Sequence, residues 1–323
     1  MFYSIHHLTR FRYAAPVRES LMELRMHPRS EGAQRCLGFE LNVTPRARLQ
    51  VFRDYLGNVV HHFDVPGPHR QLTITAEAMV DVEPAPPLPD RLDSQAWDRL
   101  DADIAERDFW EMLAPSQFAQ VTGAMEEFAL ELKLPAGREA RERDPLQLLH
   151  DLNFAIYRAI EYVPKSTRVD SPVDDALRNR RGVCQDYSHI AIALVRRAGI
   201  PCRYVSGYLF HREGAKTRSR EGATHAWIEA YLPGIGWTGF DPTNNILAGE
   251  THVRTAVGRD YADVPPTRGV FKGDAASELT VAVRVAPSDK APPPEAEMAP
   301  EDWSEVIPLE TAEEAHAAAQ QQQ

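Results

Sequence analysis

The chain has 323 residues, 43% apolar and 26% charged, an ordinary globular balance with room for two or three domains. A formal net charge of −11 excludes a general basic field for nucleic acid, and no run of about 18 apolar residues offers a membrane span. Three cysteines are too few for a disulfide framework, and the first twenty residues hold no leader-like apolar run, so a cytoplasmic setting is expected.

Residues 1–85 read as an all-β N-terminal domain. FYSIHHLTRFRY alternates with a period of two, and LMELRMHP, FELNVTP, LQVFRDY, NVVHHFDV and LTITAEAMVDV follow between turn residues. Several short strands at this spacing suggest a sandwich or half-barrel. The pairs His6–His7 and His61–His62 invite a metal reading. Strand neighbours point to opposite faces, however, so neither pair can share one ion, and a structural role is expected.

EPAPPLPDR (83–91) breaks the pattern, and residues 86–143 read as a helical, polar linker region. A long amphipathic helix is expected over 144–163. Asp144 is its N-cap, Pro145 its first residue, and Leu146, Leu149, Phe154, Ile156 and Ile160 its apolar face.

A second helix opens at Cys184 in GVCQDYSHIAIALVRRAGIP, with Tyr187, Ala191, Leu194, Val195 and Ala198 as a buried stripe and Gly199 and Pro201 as its stop. Cys184 therefore sits among the unpartnered N–H groups of a helix start, where the dipole favours a thiolate and an oxyanion. Position alone leaves two readings open, a nucleophile or a small buried residue. Cys202 reads as core and Cys36 has no ligands near it in sequence.

THAWIEAYLPGIGWTGFDPTNN supplies a base and an acceptor. His225 begins one strand and Asp241 ends the next, the partners a cysteine nucleophile needs. A four-residue loop, Pro233–Gly236, would set Asp241 opposite Ile228 and on the wrong face. A bulge or sharp twist is then required. Asp186 and His189 are expected to be structural, Gln185 is not assigned to an oxyanion hole, and Trp227 and Trp237 either wall a groove or pack in the core. Residues 257–273 read as mostly loop, lying over the cleft or merely connecting. No EF-hand pattern occurs, and no cofactor or metal is expected.

The motifs GVCQDYSHIAIALVRRAGIPCRYVSGYL, THAWIEAYLPGIGWTGFDPTNN and AVGRDYADVPPTRGVFKG resemble the bacterial branch of the transglutaminase-like superfamily. The segment YSIHHLTRFRYAAPVRESLMELRMHPR resembles the N-terminal domain that precedes that core. The resemblance covers roughly 1–287. It implies an α+β fold, with a papain-like core over 144–287 in which the cysteine helix packs on an antiparallel sheet. It implies Cys184 as nucleophile, His225 as base then acid, and Asp241 as the residue orienting His225.

Residues 288–323 carry nine acidic residues against Lys290 alone, and are expected to be a disordered acidic tail. Its DWSEVIPLE segment could dock on a partner or on the protein itself. The expected activity is hydrolysis of a peptide or protein amide through a thioester. Amine transfer by a transglutaminase is the alternative, and a non-catalytic scaffold the third reading. No nucleic-acid or membrane partner is expected, and the sequence does not specify an oligomeric state.

Overall fold

The structure, a computed structural model, describes residues 1–168, 170–212, 214, 217–219 and 222–287 and the backbone of 307–309. Strands β1 (Phe2–Leu24), β2 (Gln34–Thr44), β3 (Gln50–Arg53) and β4 (Val59–Val82) form the N-terminal region. β1 and β4 are 23 and 24 residues long and antiparallel, with register shifts between Arg12 and Glu19. Pro16 lies in that interval, and a proline cannot donate to the ladder. On either side of the break both halves bury apolar residues in one cluster, among them Tyr3, Ile5, Phe63, Val65, Leu72 and Ile74. The result is sandwich-like, as expected, but made from one sheet.

Among the described residues seven helices follow: α1 (Ala96–Glu106), α2 (Trp110–Leu113), α3 (Gly123–Glu131), α4 (Gly137–Arg141), α5 (Pro145–Ala159), α6 (Val173–Asn179) and α7 (Cys184–Arg197), with the short parallel pair β5 (Glu161–Tyr162) and β6 (Arg181–Gly182). In α5 the Asp144 side chain accepts from Gln147 N–H, the expected cap. Leu146, Leu149, Asn153, Ile156 and Ile160 form its buried row, with Leu148 and Leu152 beside them. Phe154 does not belong to it and is 54% exposed. It lies one residue, about 100° of rotation, past the row.

Five strands form the second sheet in the order β10-β9-β8-β7-β11: β7 (Cys202–Leu209), β8 (His225–Leu232), β9 (Gly236–Asp241), β10 (Ile246–Leu247) and β11 (His252–Gly258). Helix α7 packs on β7 and β8 and is buried from Cys184 through Arg196, on every face rather than one stripe. A helix covered all round is a central element, with α5 and α6 on its far side.

The expected core boundary at 287 is too far along the chain. Strands β12 (Thr267–Lys272) and β13 (Ser277–Pro287) pair antiparallel with β1 and complete the N-terminal sheet. Most of the expected tail lies outside the described residues, but a strand β14 (Ile307–Leu309) pairs with Ser277–Leu279 of β13. The unpaired edge of β13 offers backbone donors and acceptors that an extended segment can satisfy. Among the described residues no helix is long and apolar enough to cross a membrane.

Side-chain amides join the two sheets at the edge of β11. Gln34 donates to the Arg254 carbonyl at 2.9 Å and accepts from its N–H at 2.8 Å. Asn58 does the same for Val257, both at 2.8 Å. Each amide presents a donor and an acceptor side by side, as a neighbouring strand would. Beneath them Glu229 is held between Arg203 (2.6 Å) and Arg254 (3.1 Å).

Candidate active site

The β8–β9 hairpin has a different register from the one expected. Leu232 faces Gly236 and Ile228 faces Phe240, so the loop is only Pro233–Gly234–Ile235. Gly234 and Gly236 adopt positive φ of 77° and 95°, which permits so tight a reversal. Continued by one residue, this pairing sets Asp241 beside Trp227, on the same face as His225. The register therefore brings His225 and Asp241 together without a bulge.

His225 Nε2 lies 2.8 Å from Asp241 Oδ2, with both side chains buried. Its other ring nitrogen, Nδ1, makes no well-aligned hydrogen bond to any described residue, and the Cys184 thiol is the group beside it. Burial works against charge on the ring, but the Asp241 carboxylate and the Cys184 contact outweigh it and raise the His225 pKa. Burial likewise opposes ionisation of Asp241. The charge and hydrogen bond of His225, with the His252 contact, hold its pKa well below the usual carboxylate range.

Asp241 accepts more than one bond. Asn244 Nδ2 donates to Oδ2 at 2.7 Å, and the Thr243 and Asn244 backbone N–H groups donate to Oδ1 at 3.0 and 3.2 Å. His252 Nε2 stands 3.3 Å from Oδ2. Neither His252 nor Asn244 stood among the expected site residues. Thr251–His252 opening an alternating strand repeats Thr224–His225, and Asn244 follows Asp241 within the same turn; these were the available signals.

His225, Asp241 and His252 offer ligand atoms within 4.8 Å of one another, close enough to raise the question of a metal. Two ligands of a tetrahedral zinc ion lie about 3.3 Å apart when each bond is about 2.0–2.1 Å. The 2.8 Å separation of His225 and Asp241 is a hydrogen bond instead.

Cys184 begins α7, as expected. Asp186, the third residue of the helix, is buried and accepts from the Val183 N–H at 2.8 Å and from the Thr167 hydroxyl at 2.5 Å. Burial pushes its pKa up to about 6 against those bonds. His189 is buried too, stacked 5.3 Å from Phe118 and accepting at Nε2 from Tyr261 N–H at 3.2 Å. Asp186 thus holds the start of α7, and His189 ties the helix to the 260–261 turn. Trp227 is buried against both His225 and His252, with ring centroids 6.1 and 5.0 Å away, and so belongs to the core. Trp237 is half-buried under Arg203, 4.5 Å from its guanidinium.

Residues 257–273 are not a loop over the cleft. Asp260 and Tyr261 are buried, and Asp260 accepts from the Phe118 N–H at 2.7 Å. The segment runs behind α7 to reach β12.

Residues 3–81 match the profile described as "Bacterial transglutaminase-like N-terminal region", and residues 135–242 match "Transglutaminase-like superfamily". An uncharacterized protein of Mycobacterium leprae is 34% identical over 280 residues, spanning 86% of this chain and 96% of that one. A protein-glutamine gamma-glutamyltransferase of Pseudomonas aeruginosa is 33% identical over 86 residues, which span 26% of this chain and 13% of that one. The solved structure of a candidate cysteine protease from Cytophaga hutchinsonii superposes with a TM-score of 0.69 at 24% identity, over 90% of this chain and 93% of that one.

Proposed function

Because the chain belongs to the transglutaminase-like superfamily, we propose that it is a cysteine-dependent amide-bond hydrolase acting through Cys184, His225 and Asp241. The observation that carries the reading is the buried His225–Asp241 pair whose second ring nitrogen faces the thiol at the start of α7. A family supplies a fold and a site, and the chemistry must be argued from the side chains.

In this reading Asp241 holds the His225 ring with Nδ1 toward sulfur, and an imidazolium–thiolate pair results. The thiolate attacks the amide carbonyl, forming a C–S bond. N–H groups of the first turn of α7, which have no acceptor within the helix, face the developing oxyanion. His225 then gives its proton to the departing amine as the C–N bond breaks, leaving a thioester. Water attacks that thioester while His225 takes its proton, and the C–S bond breaks to free the acid. Asn244 and His252 act on Asp241, keeping its carboxylate ionised and fixed. Cys184 and His225 are only 1% and 2% exposed, so turnover requires the surrounding walls to open. A cytoplasmic setting, proposed from cysteine usage, suits a free thiol.

The second reading is amine transfer, favoured by the 86-residue likeness to the Pseudomonas aeruginosa gamma-glutamyltransferase. One screen separates the two: peptide, γ-glutamyl and isopeptide amides, with a labelled primary amine present and Cys184→Ala as control. Hydrolysis predicts amine release without incorporation of label. Efficient incorporation into a glutamine substrate overturns it, and equal turnover by Cys184→Ala overturns both readings.

A further inference from the structure

A cleft of about 620 Å³ lies against the strand pair that leads into Cys184, lined among others by Arg158, Glu161, Tyr162, Arg180, Arg181 and Arg218. Four arginines in one lining run against the balance of a chain with 36 basic and 47 acidic residues, although the Arg180 guanidinium itself lies over the Phe128 ring at 4.6 Å. Among the described residues Glu161 is the one carboxylate in the lining, and it pairs with Arg181 at 3.0 Å. Arg180 pairs with Glu131 outside the cleft, yet its Nη1 is buried with no hydrogen-bond partner among the described residues. Arg180 also holds a left-handed backbone, φ 54°, where glycine would be relaxed. Arg218 lies over the Tyr157 ring at 3.5 Å and donates to the Tyr157 carbonyl at 2.6 Å. Arg158 is exposed in the last turn of α5. Among the described residues the lining thus carries more positive charge than its neighbours neutralise.

The cleft is close to the nucleophile. Arg181 pairs with Glu161 and Gly182 with Tyr162, and Cys184 follows two residues later. Tyr187, in the first turn of α7, donates its hydroxyl to the Ile160 carbonyl, itself part of the lining, at 2.7 Å. Three residues of extended chain from Arg181 to Cys184 span at most about 10–11 Å, the reach of about three residues of bound peptide.

We infer that this cleft receives a carboxylate of the substrate, so that the preferred amides carry an acidic side chain or a free carboxy terminus within about three residues of the bond cut. The inference rests on the amide-cleaving reading above for its substrate class. Guanidinium forks match carboxylate geometry and stay charged at every physiological pH.

Matched peptides test it: one with glutamate near the scissile bond, one with glutamine there, each with a free and an amidated carboxy terminus. The expected kcat/KM ratio of acidic to neutral peptide is about tenfold at low salt, shrinking at about 0.5 M salt as screening grows. In Arg158→Gln/Arg181→Gln the ratio falls toward one, and the free-terminus arm shows which carboxylate is read. A wild-type ratio near one, or a ratio unmoved by the double variant, overturns the inference while leaving amide hydrolysis standing. If no peptide is turned over, calorimetric binding of the same set to Cys184→Ala decides. Tighter binding of the acidic member, lost in the arginine variants, supports the cleft, and equal binding refutes it.

Discussion

Replacing Asp241 by asparagine keeps the shape of the side chain and removes its charge. The carboxylate is fully buried, 2.8 Å from His225 Nε2 and 2.7 Å from Asn244 Nδ2. An amide can turn its oxygen toward the Thr243 and Asn244 N–H groups, but its NH₂ then meets the Asn244 NH₂, donor against donor, and either imidazole can receive it only through an unprotonated nitrogen. At 2.8 Å and an effective dielectric constant of about 20, the lost attraction to a charged His225 is about 6 kcal/mol. Desolvation consumes part of this, and removing one partner of a buried pair costs about 3–5 kcal/mol.

The cost depends on pH because both pKa values are displaced. That of His225 is raised above 6.5, so its contribution is complete below about pH 6.5 and fades as pH climbs through the raised value. That of Asp241 is lowered below 3.8, so its contribution is complete above about pH 3.8 and disappears only on further acidification. Urea unfolding of Asp241→Asn should therefore show its largest deficit between about pH 4 and 6.5, shrinking toward pH 10. Between about pH 4 and 6.5 Cys184 alkylation should be slower in Asp241→Asn than in the wild type, since His225 no longer stays charged beside the sulfur. A deficit identical at about pH 5 and pH 9 would refute the ion pair. Asp241 would then be a neutral acceptor for the 243–244 turn.

His252→Leu should slow turnover or Cys184 alkylation by about 10–100-fold, the worth of a hydrogen bond to a charged group, and His252→Gln should restore most of it. Full rates in His252→Leu as well as in His252→Gln would show that only volume matters at that position. Gly207→Ala should lower the unfolding free energy, read by urea titration, by about 1–3 kcal/mol or more, because its Cβ would stand 2.1 Å from the Val253 carbonyl oxygen and 2.7 Å from the Trp227 ring. A neutral result would contradict the close approach of β11 to β7 beside His225. His189 must stay neutral to accept from Tyr261, and burial lowers its pKa to about 4. Its contribution is complete above about pH 6.5 and lost as pH falls through about 4, amounting to at most about 3 kcal/mol. His189→Phe should flatten the acid limb of the stability profile, and an unchanged limb would assign it to His7 and His61, whose pKa values burial also lowers.

Helix α7 was legible because its signals are local: Gly199 and Pro201 stop it, and the apolar spacing marks it as core. Cys184 at its start, and the strands bearing His225 and Asp241, were legible for the same reason. The face of Asp241 was not, since moving one residue between loop and strand reverses it. Alternation along β9 reads equally well with a loop of three or four, and only the positive φ of Gly234 and Gly236 decides. Phe154 shows the same limit in a helix, where a one-residue displacement separates the buried row from solvent. His252 was hidden by topology rather than by periodicity. β11 reaches Asp241 only by crossing the sheet to pair with β7, His252 opposite Leu209, and no local pattern records that pairing.

The same crossing explains why the chain's C-terminal strands belong to the N-terminal sheet. After β11 the backbone must travel behind α7 to reach β1, and it does so through Asp260–Tyr261. Along that path Tyr261 donates to His189 on α7, Asp260 accepts from Phe118, and the Arg259 carbonyl accepts from Arg196 at 2.7 Å. Arg196 also donates to the Cys202 carbonyl at 2.8 Å, at the start of β7. Helix α7 is thereby tied to the sheet that carries His225 and to the strand that enters the N-terminal sheet. Buried polar ties of this kind fix the helix in one place because each donor would be left unpaired by a slip along its axis. That restraint on the position of Cys184 is what the connection into the N-terminal sheet contributes to the start of α7.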